Sequence, residues 1–207
     1  MELADVRESP IVEFTEEGIR TSAKLHELDI VIFATGFDAF TGSLFRPDII
    51  GRNGVSLRDK WANGPTTQFG VAVAGFPNML FTAGPGSPSL LSNVLLSIEE
   101  QIDWFAQFIE FMDDNGYTTF DVDPKVESDW VAHVNERVKE TLYLSTNSYY
   151  HGAEVAGKAR VFMPYSGGVR GYRRILEKCA ADSFSAFRFT RSAAEGGAPA
   201  LKVAQQQ

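Results

Sequence analysis

The run Leu28-Asp29-Ile30-Val31-Ile32-Phe33, continuing into Ala34-Thr35-Gly36-Phe37-Asp38, constrains the fold more than any other segment of this chain. Ile30 to Phe33 is uninterrupted apolar sequence with three β-branched residues, a pattern that predicts a strand covered on both faces in a parallel or mixed sheet. Thr35-Gly36 predicts a turn in which the glycine lets another backbone or a ligand approach closely. An ordinary strand end satisfies the same pattern, so the segment by itself names no function.

The remaining composition narrows the setting. At 207 residues the chain can build one good core or two small ones, and 44% hydrophobic with 12% aromatic content predicts a globular protein. Cys179 is the single cysteine, so no internal disulfide can form, and a cytoplasmic setting is expected. Met1 to Arg20 is acidic and lacks the apolar centre of a signal peptide. The longest apolar helix candidate is broken by Glu99, Glu100, Gln101 and Asp103, which argues against a membrane span. A formal net charge of −8 disfavours a nucleic-acid partner.

Along the chain, Ile11 to Thr21 predicts a β-hairpin turning at Glu16-Glu17-Gly18. Residues 38–70, rich in Gly, Asn, Pro and Asp, predict a long surface excursion, followed by short extended segments at Ala72–Gly75 and Met79–Ala83. A helix is expected from Ser89 to Asp114, burying Leu91, Leu95, Ile98, Ile102, Phe105, Ile109 and Met112 and stopping at Asn115-Gly116. Asp123 as N-cap and Pro124 at the first position predict a second helix to about Leu144, burying Val126, Trp130, Val134 and Val138. A third, Gly168 to Ala181, carries Tyr172, Ile175 and Leu176, and residues 192–207 predict a disordered tail.

Between the extended segment and the long helix lies Ala83-Gly84-Pro85-Gly86-Ser87-Pro88-Ser89-Leu90-Leu91-Ser92-Asn93. Gly84 and Gly86 permit close backbone approach, and the helix start behind them presents unpaired N–H groups and the positive dipole end. Such a start stabilises negative charge, including that on the N1–C2=O edge of a reduced flavin. Taken alone, the segment is read first as a plain strand-to-helix connection, and Ser89 occupies the third glycine position of a phosphate-binding fingerprint.

Taken in order, DIVIFATGFDAFTG (Asp29–Gly42), GFPN (Gly75–Asn78), GPGSPSLLSN (Gly84–Asn93), NSYYHGAEVAGK (Asn147–Lys158) and VFMPYSGGVRGY (Val161–Tyr172) resemble the C-terminal part of the Baeyer–Villiger monooxygenases, a class B flavin monooxygenase family. The resemblance runs from about Ile11 to Phe189. It implies an α/β fold that is the C-terminal part of a two-dinucleotide-binding-domain flavoprotein with a large helical lid. The family's G-x-G-x-x-G loops, its F-x-G-x-x-x-H fingerprint and its flavin-side arginine cannot be located here, so the chain is expected to be a fragment. The implied division is 1–27 as the remnant of an NADP-domain hairpin, 28–115 as the C-terminal part of the FAD-binding domain, 116–191 as the lid region, and 192–207 as tail.

The resemblance also implies cofactors, FAD and NADPH, and a reaction that inserts one oxygen atom of O2 beside a ketone carbonyl, or oxygenates a sulfide. Ala34, Thr35, Gly36, Phe37 and Asp38 would line the hinge where the two cofactors meet. Gly84, Pro85, Ser89, Asn93 and Val94 would approach the flavin, Leu90, Leu91 and Tyr150 would shape the substrate pocket, and Tyr149 would contact NADP. No catalytic side chain and no metal ligand is assigned. Where the family commonly has Ser-Trp-Tyr-x-Gly-Ala-Asn, this chain has Ser148-Tyr149-Tyr150-His151-Gly152-Ala153-Glu154. Tyr149 changes the hydrogen-bond donor, Glu154 adds an anion near an anionic dinucleotide, and Val94 replaces a common methionine, so altered NADPH handling is expected. The expected partner is the missing N-terminal half or a dimer mate, and the alternative function is a non-catalytic binding module.

Other conspicuous residues have plainer readings. His26, His133 and His151 lack the spacing of a zinc site. Trp104, Trp130 and the Phe105, Phe108 and Phe111 group predict core packing, and Cys179 predicts an inert buried thiol. Arg170, Arg173 and Arg174 predict a solvated or locally paired helix start. Ser87, Ser89 and Ser92 lack the partners of a hydrolase triad.

Overall fold

The computed structural model describes residues 2–34, 38, 40–88, 92–146, 148–152, 157 and 159–191. It divides into two compact units, Met1–Gly36 and Phe37–Gln207. The 192–207 tail lies outside the described residues.

In the first unit the expected hairpin is present: β1 (Ile11–Thr15) pairs antiparallel with β2 (Gly18–Thr21), and β3 (Leu25–Glu27) extends the sheet in the order β1-β2-β3. The expected strand Leu28–Phe33 is absent. Its residues carry no regular structure, with Ile30 78% and Ile32 85% exposed. A strand needs ladder partners on its edges as well as an apolar sequence, and no described strand pairs with this run. Phe33 instead sets its ring 5.5 Å from that of Phe14.

The second unit is helical with one small sheet. The long helix α2 (Val94–Asp114) starts five residues later than Ser89, because Asn93 is its N-cap and accepts from the Leu95 and Leu96 N–H groups. It ends at Asn115, and Gly116 follows at φ +65°. Helix α3 (Pro124–Val138) begins as expected, with Asp123 accepting from Lys125 N, but stops at Val138; Leu142–Ser145 forms a separate 3-10 turn. Helix α4 occupies Gly168–Ala181 as expected. Strand β4 (Thr119–Val122) pairs antiparallel with β5 (Phe187–Thr190), Thr119 opposite Thr190 and Val122 opposite Phe187.

Residues 38–70 are not simply a surface excursion. The short helix α1 (Leu57–Lys60), capped by Ser56, brings Leu57 and Trp61 into a buried cluster with Val73 and Phe76. Residues 72–75 and 79–83 are not strands; the chain makes a tight reversal in which Gln68 bridges Ala72. Its backbone groups are satisfied by scattered bonds such as Phe81 N to Val71 O at 3.0 Å.

The main core is aromatic. Phe108, fully buried, holds Phe120, Phe184 and Phe187 at ring-centroid distances of 4.9, 5.0 and 4.9 Å, mostly edge to face. Each such pair contributes about 0.5–1.5 kcal/mol beyond burial of its area. The buried face of α2 is Ser97, Gln101, Trp104, Phe105 and Phe108. The expected apolar stripe is split: Phe105 is buried and Met112 packs against the core, but Leu95, Ile102 and Ile109 are 71%, 51% and 53% exposed, and Leu91 lies outside the described residues. Both stripes have helical spacing, and the aromatic one wins because α4 and the β4–β5 pair pack against it. Among the described residues no helix is long and apolar enough to cross a membrane.

Candidate functional site

The glycine-rich turn is built and buried. Residues 84–88 are all buried, and they cross the segment 67–70 at closest packing. A Cβ at Gly70 would stand 2.5 Å from Ser87 N, and one at Gly84 would stand 2.7 Å from Gly70 O. Glycine is therefore required at both positions by backbone crowding. Thr67 Oγ1 donates to Pro85 O at 2.5 Å and accepts from Gly70 N at 3.1 Å, while Gly84 N donates to Gly70 O at 3.1 Å. Ser87 Oγ donates to Gly84 O at 2.7 Å, which occupies a hydroxyl that could have been mistaken for a nucleophile.

Three side chains expected only as helix or core residues, Gln101, Tyr172 and Trp130, hold this crossing. Gln101 Oε1 accepts from Ala83 N at 2.9 Å, Gln101 Nε2 donates to Tyr172 Oη at 2.9 Å, and Tyr172 Oη donates to Phe69 O at 2.6 Å. Trp130 closes the far side, its Nε1 lying 2.9 Å from where a Gly86 Cβ would be. Burial raises the Tyr172 phenol far above its usual range, so it stays protonated and can donate. The spacing Ser97, Gln101, Trp104, Phe108, a second helical stripe beside the aliphatic one, was the signal available for Gln101.

The second motif is brought beside the first. Gly86 N donates to Met163 O at 2.5 Å, and Met163 N donates to Tyr150 O at 2.9 Å, so the extended segment around Met163 lies between the glycine turn and the Tyr149–His151 3-10 turn. Ser148 caps that turn by accepting from Tyr150 N, and Gly152 closes it at φ +69°. Tyr150 is buried against Phe40, Tyr143 and Phe162, with centroids at 6.1, 5.4 and 6.2 Å. Tyr149, half-buried, lies against it at 4.3 Å. Burial and the neighbouring tyrosines push the Tyr150 phenol well up, so it is a neutral group at any physiological pH. His151 is shifted the other way, first by burial and then by the Arg160 charge.

The remaining assigned residues are distributed as follows. Ala34 is exposed and irregular in the first unit. Thr35, Gly36, Phe37, Ser89, Leu90 and Leu91 lie outside the described residues, as does Glu154. Asp38 closes its own turn, its two oxygens accepting from Thr41 Oγ1 at 2.8 and 2.9 Å. Asn93 is exposed with its side chain engaged in capping, and Val94 begins α2 half-buried. Gly84 and Pro85 contribute scaffold beneath the turn rather than surface, since both are buried by this chain's own atoms.

Other side chains follow their plain readings. Arg173 pairs with Glu100 across α4 and α2, Trp104 and Trp130 are core, and His133 lies beside the stacked Trp130 and Tyr165 rings. No group of three or more metal-ligating side chains occurs among the described residues.

No family model matches the chain. It is 41% identical over 184 residues to the acetone monooxygenase (methyl acetate-forming) of Gordonia sp. strain TY-5, covering 88% of this chain and 34% of that enzyme. It is 39% identical over 194 residues to a Baeyer–Villiger monooxygenase of Pseudooceanicola batsensis, covering 92% of this chain and 35% of the other. The crystal structure of the OTEMO complex with FAD and NADP superposes with a TM-score of 0.82 at 36% identity, over 90% of this chain and 34% of that one. The chain thus spans about a third of the length of the curated relatives it matches.

Proposed function

We propose that this chain, a homologue of part of the Baeyer–Villiger monooxygenases and mixed α/β like them, supplies the substrate-side portion of an FAD- and NADPH-dependent oxygenase. In this reading residues 28–115 belong to the FAD-binding part and 116–191 to the lid region. The carrying observation is the preformed crossing of residues 67–70 and 83–88, immediately ahead of the Asn93-capped start of α2.

The residues present suit a flavin. The α2 start offers the positive end of a 21-residue helix, which stabilises negative charge on a reduced isoalloxazine edge, although Asn93 already engages the Leu95 and Leu96 N–H groups. When bound, FAD reduced by NADPH supplies the oxygen-activating chemistry that no side chain of this chain provides. The chain's own contribution is geometry and dryness. Thr67, Gln101 and Tyr172 hold the turn rigid, while the aromatic cluster of Phe40, Tyr143, Tyr150 and Phe162 excludes water beside it. A ketone, or a sulfide, is the substrate class, with O2 as co-substrate. Tyr149, where tryptophan is common in the family, would alter the grip on NADPH, and Tyr149→Trp is expected to tighten it.

A second reading, a non-catalytic interaction module, is favoured by the exposed apolar face of α2, which needs a cover. Intact mass from the native source separates the two, a polypeptide far larger than 207 residues supporting the oxygenase reading. Purified chain mixed with excess FAD, freed of unbound flavin and examined by visible absorption then tests the site: a retained flavin band supports the oxygenase reading, and NADPH oxidation is then measured. A colourless protein means that this portion builds no flavin site by itself.

A further inference from the structure

Two residues bearing side chains adopt left-handed backbone at the crossing: Phe69 at φ +57° and Ala83 at φ +54°. A Cβ makes this conformation unfavourable, and neither residue is Asn, Asp or Gly, for which it is tolerated. Both are tied to the same buried pair. Ala83 N–H donates to Gln101 Oε1, Gln101 Nε2 donates to Tyr172 Oη, and Tyr172 Oη donates to Phe69 O, at 2.9, 2.9 and 2.6 Å. Gln101 and Tyr172 are both fully buried, so no water can replace either partner. The relay runs from a loop through α2 to α4 and back to a second loop, closing the two strained residues onto each other. Gln101 thereby leaves no polar end unmatched, and the phenol uses both its donor and an acceptor site.

We infer that Gln101 and Tyr172 are positioning residues: they hold Phe69 and Ala83 in left-handed geometry and so set the shape of the 83–88 turn that leads into Asn93. Their importance for flavin binding rests on the function proposed above; their effect on the turn does not. Strain of this kind persists only where surrounding structure over-determines it. Here the over-determination includes these three buried hydrogen bonds, beside those of Thr67 Oγ1 and Gly84 N at the same crossing. Without the three, the backbone at Phe69 and Ala83 relaxes, although the helices carrying the two side chains stay packed through Trp104, Phe108 and Leu176.

The test is amide hydrogen exchange by NMR on the 207-residue chain, comparing wild type with Tyr172→Phe and Gln101→Met, alongside FAD titration. Exchange at Ala83 is expected to accelerate about tenfold or more in both variants. The β4–β5 amides, Thr119 to Val122, keep their protection. Where wild type retains FAD, Tyr172→Phe weakens retention by a similar factor and shifts the bound flavin's absorption envelope. Unchanged exchange at Ala83 in both variants overturns the inference. Equal loss of protection across α2, α4 and β4 in Tyr172→Phe also overturns it, since the pair would then be merely part of the core. If wild type retains no FAD while Ala83 alone responds, the positioning role stands and flavin binding by this chain alone falls. If Gln101→Met does not fold, Tyr172→Phe, which keeps the ring, decides the matter by the same two criteria.

Discussion

Glu127 Oε2 accepts from Lys60 Nζ at 3.0 Å, with the Glu127 side chain only 5% exposed. The two residues lie 67 positions apart, one ending α1 and the other in the first turn of α3. The second carboxylate oxygen accepts from Ala74 N at 2.8 Å, so a single buried charge joins α1, α3 and the reversal between them. Removing one partner of such a pair strands the other. Lys60→Met is expected to cost about 2–3 kcal/mol, somewhat below the usual figure because Lys60 keeps partial solvent contact. Glu127→Gln, which preserves an acceptor for Ala74 without a charge, is expected to cost about 1 kcal/mol. Urea denaturation of the two variants checks the order; equal losses would sink it.

The two faces of α2 make opposite predictions. Phe108→Ala opens a cavity in the aromatic core and is expected to cost about 3–5 kcal/mol. Ile102→Lys with Ile109→Glu removes exposed apolar surface and is expected to change stability by no more than about 0.5 kcal/mol per site. The double variant should also run later on size exclusion if that face mediates self-association. Thermal melts with calibrated chromatography read both quantities.

His151 carries a pH prediction. Burial, reinforced by Arg160, lowers its pKa below the ordinary 6.5, and its Nδ1 is buried without a hydrogen-bond partner among the described residues. The folded state therefore prefers the neutral ring. As pH falls below 6.5 the unfolded chain takes up the proton first, so stability declines until the lowered folded pKa is passed. Imidazole chemical shifts should give a midpoint below 6.5, and His151→Phe should flatten the acid limb of the stability curve. A midpoint at or above the ordinary value would refute this.

Cys179 predicts behaviour at the alkaline end. Burial pushes its thiol up to about 11 from an ordinary 9.0. An unfolded thiol ionises first as pH rises, so this group's contribution is intact below 9.0 and is lost between 9.0 and about 11. At about pH 8 a thiol reagent should label the native chain far more slowly than the urea-unfolded chain. Comparable rates would show that the helix opens there.

Local order is legible in the amino-acid sequence alone. Asp123-Pro124 announces α3, the Tyr172, Ile175, Leu176 spacing announces α4, and Glu16-Glu17-Gly18 announces a hairpin, because caps, periods and turns act over a few residues. The ordered motifs from Asp29 to Tyr172 likewise point to the flavin monooxygenase relatives. Partnership is not legible there. Ile30 to Phe33 has a strand's sequence and no ladder, and α2 carries two stripes of helical spacing between which only the packing of α4 and β4–β5 chooses. Gln101 reads as a polar break in a helix, and Tyr172 as one more core aromatic. Their joint role exists only because residues 71 positions apart meet in a fully buried site, where each polar atom must find its partner within the protein. Sequence by itself determined the β1–β2 hairpin, the existence of α2, α3 and α4, and the resemblance of this chain to its relatives; tertiary structure decided which apolar runs become strands, which faces are buried and which buried groups are paired, because strand pairing, burial and hydrogen-bond satisfaction depend on contacts that no local window contains.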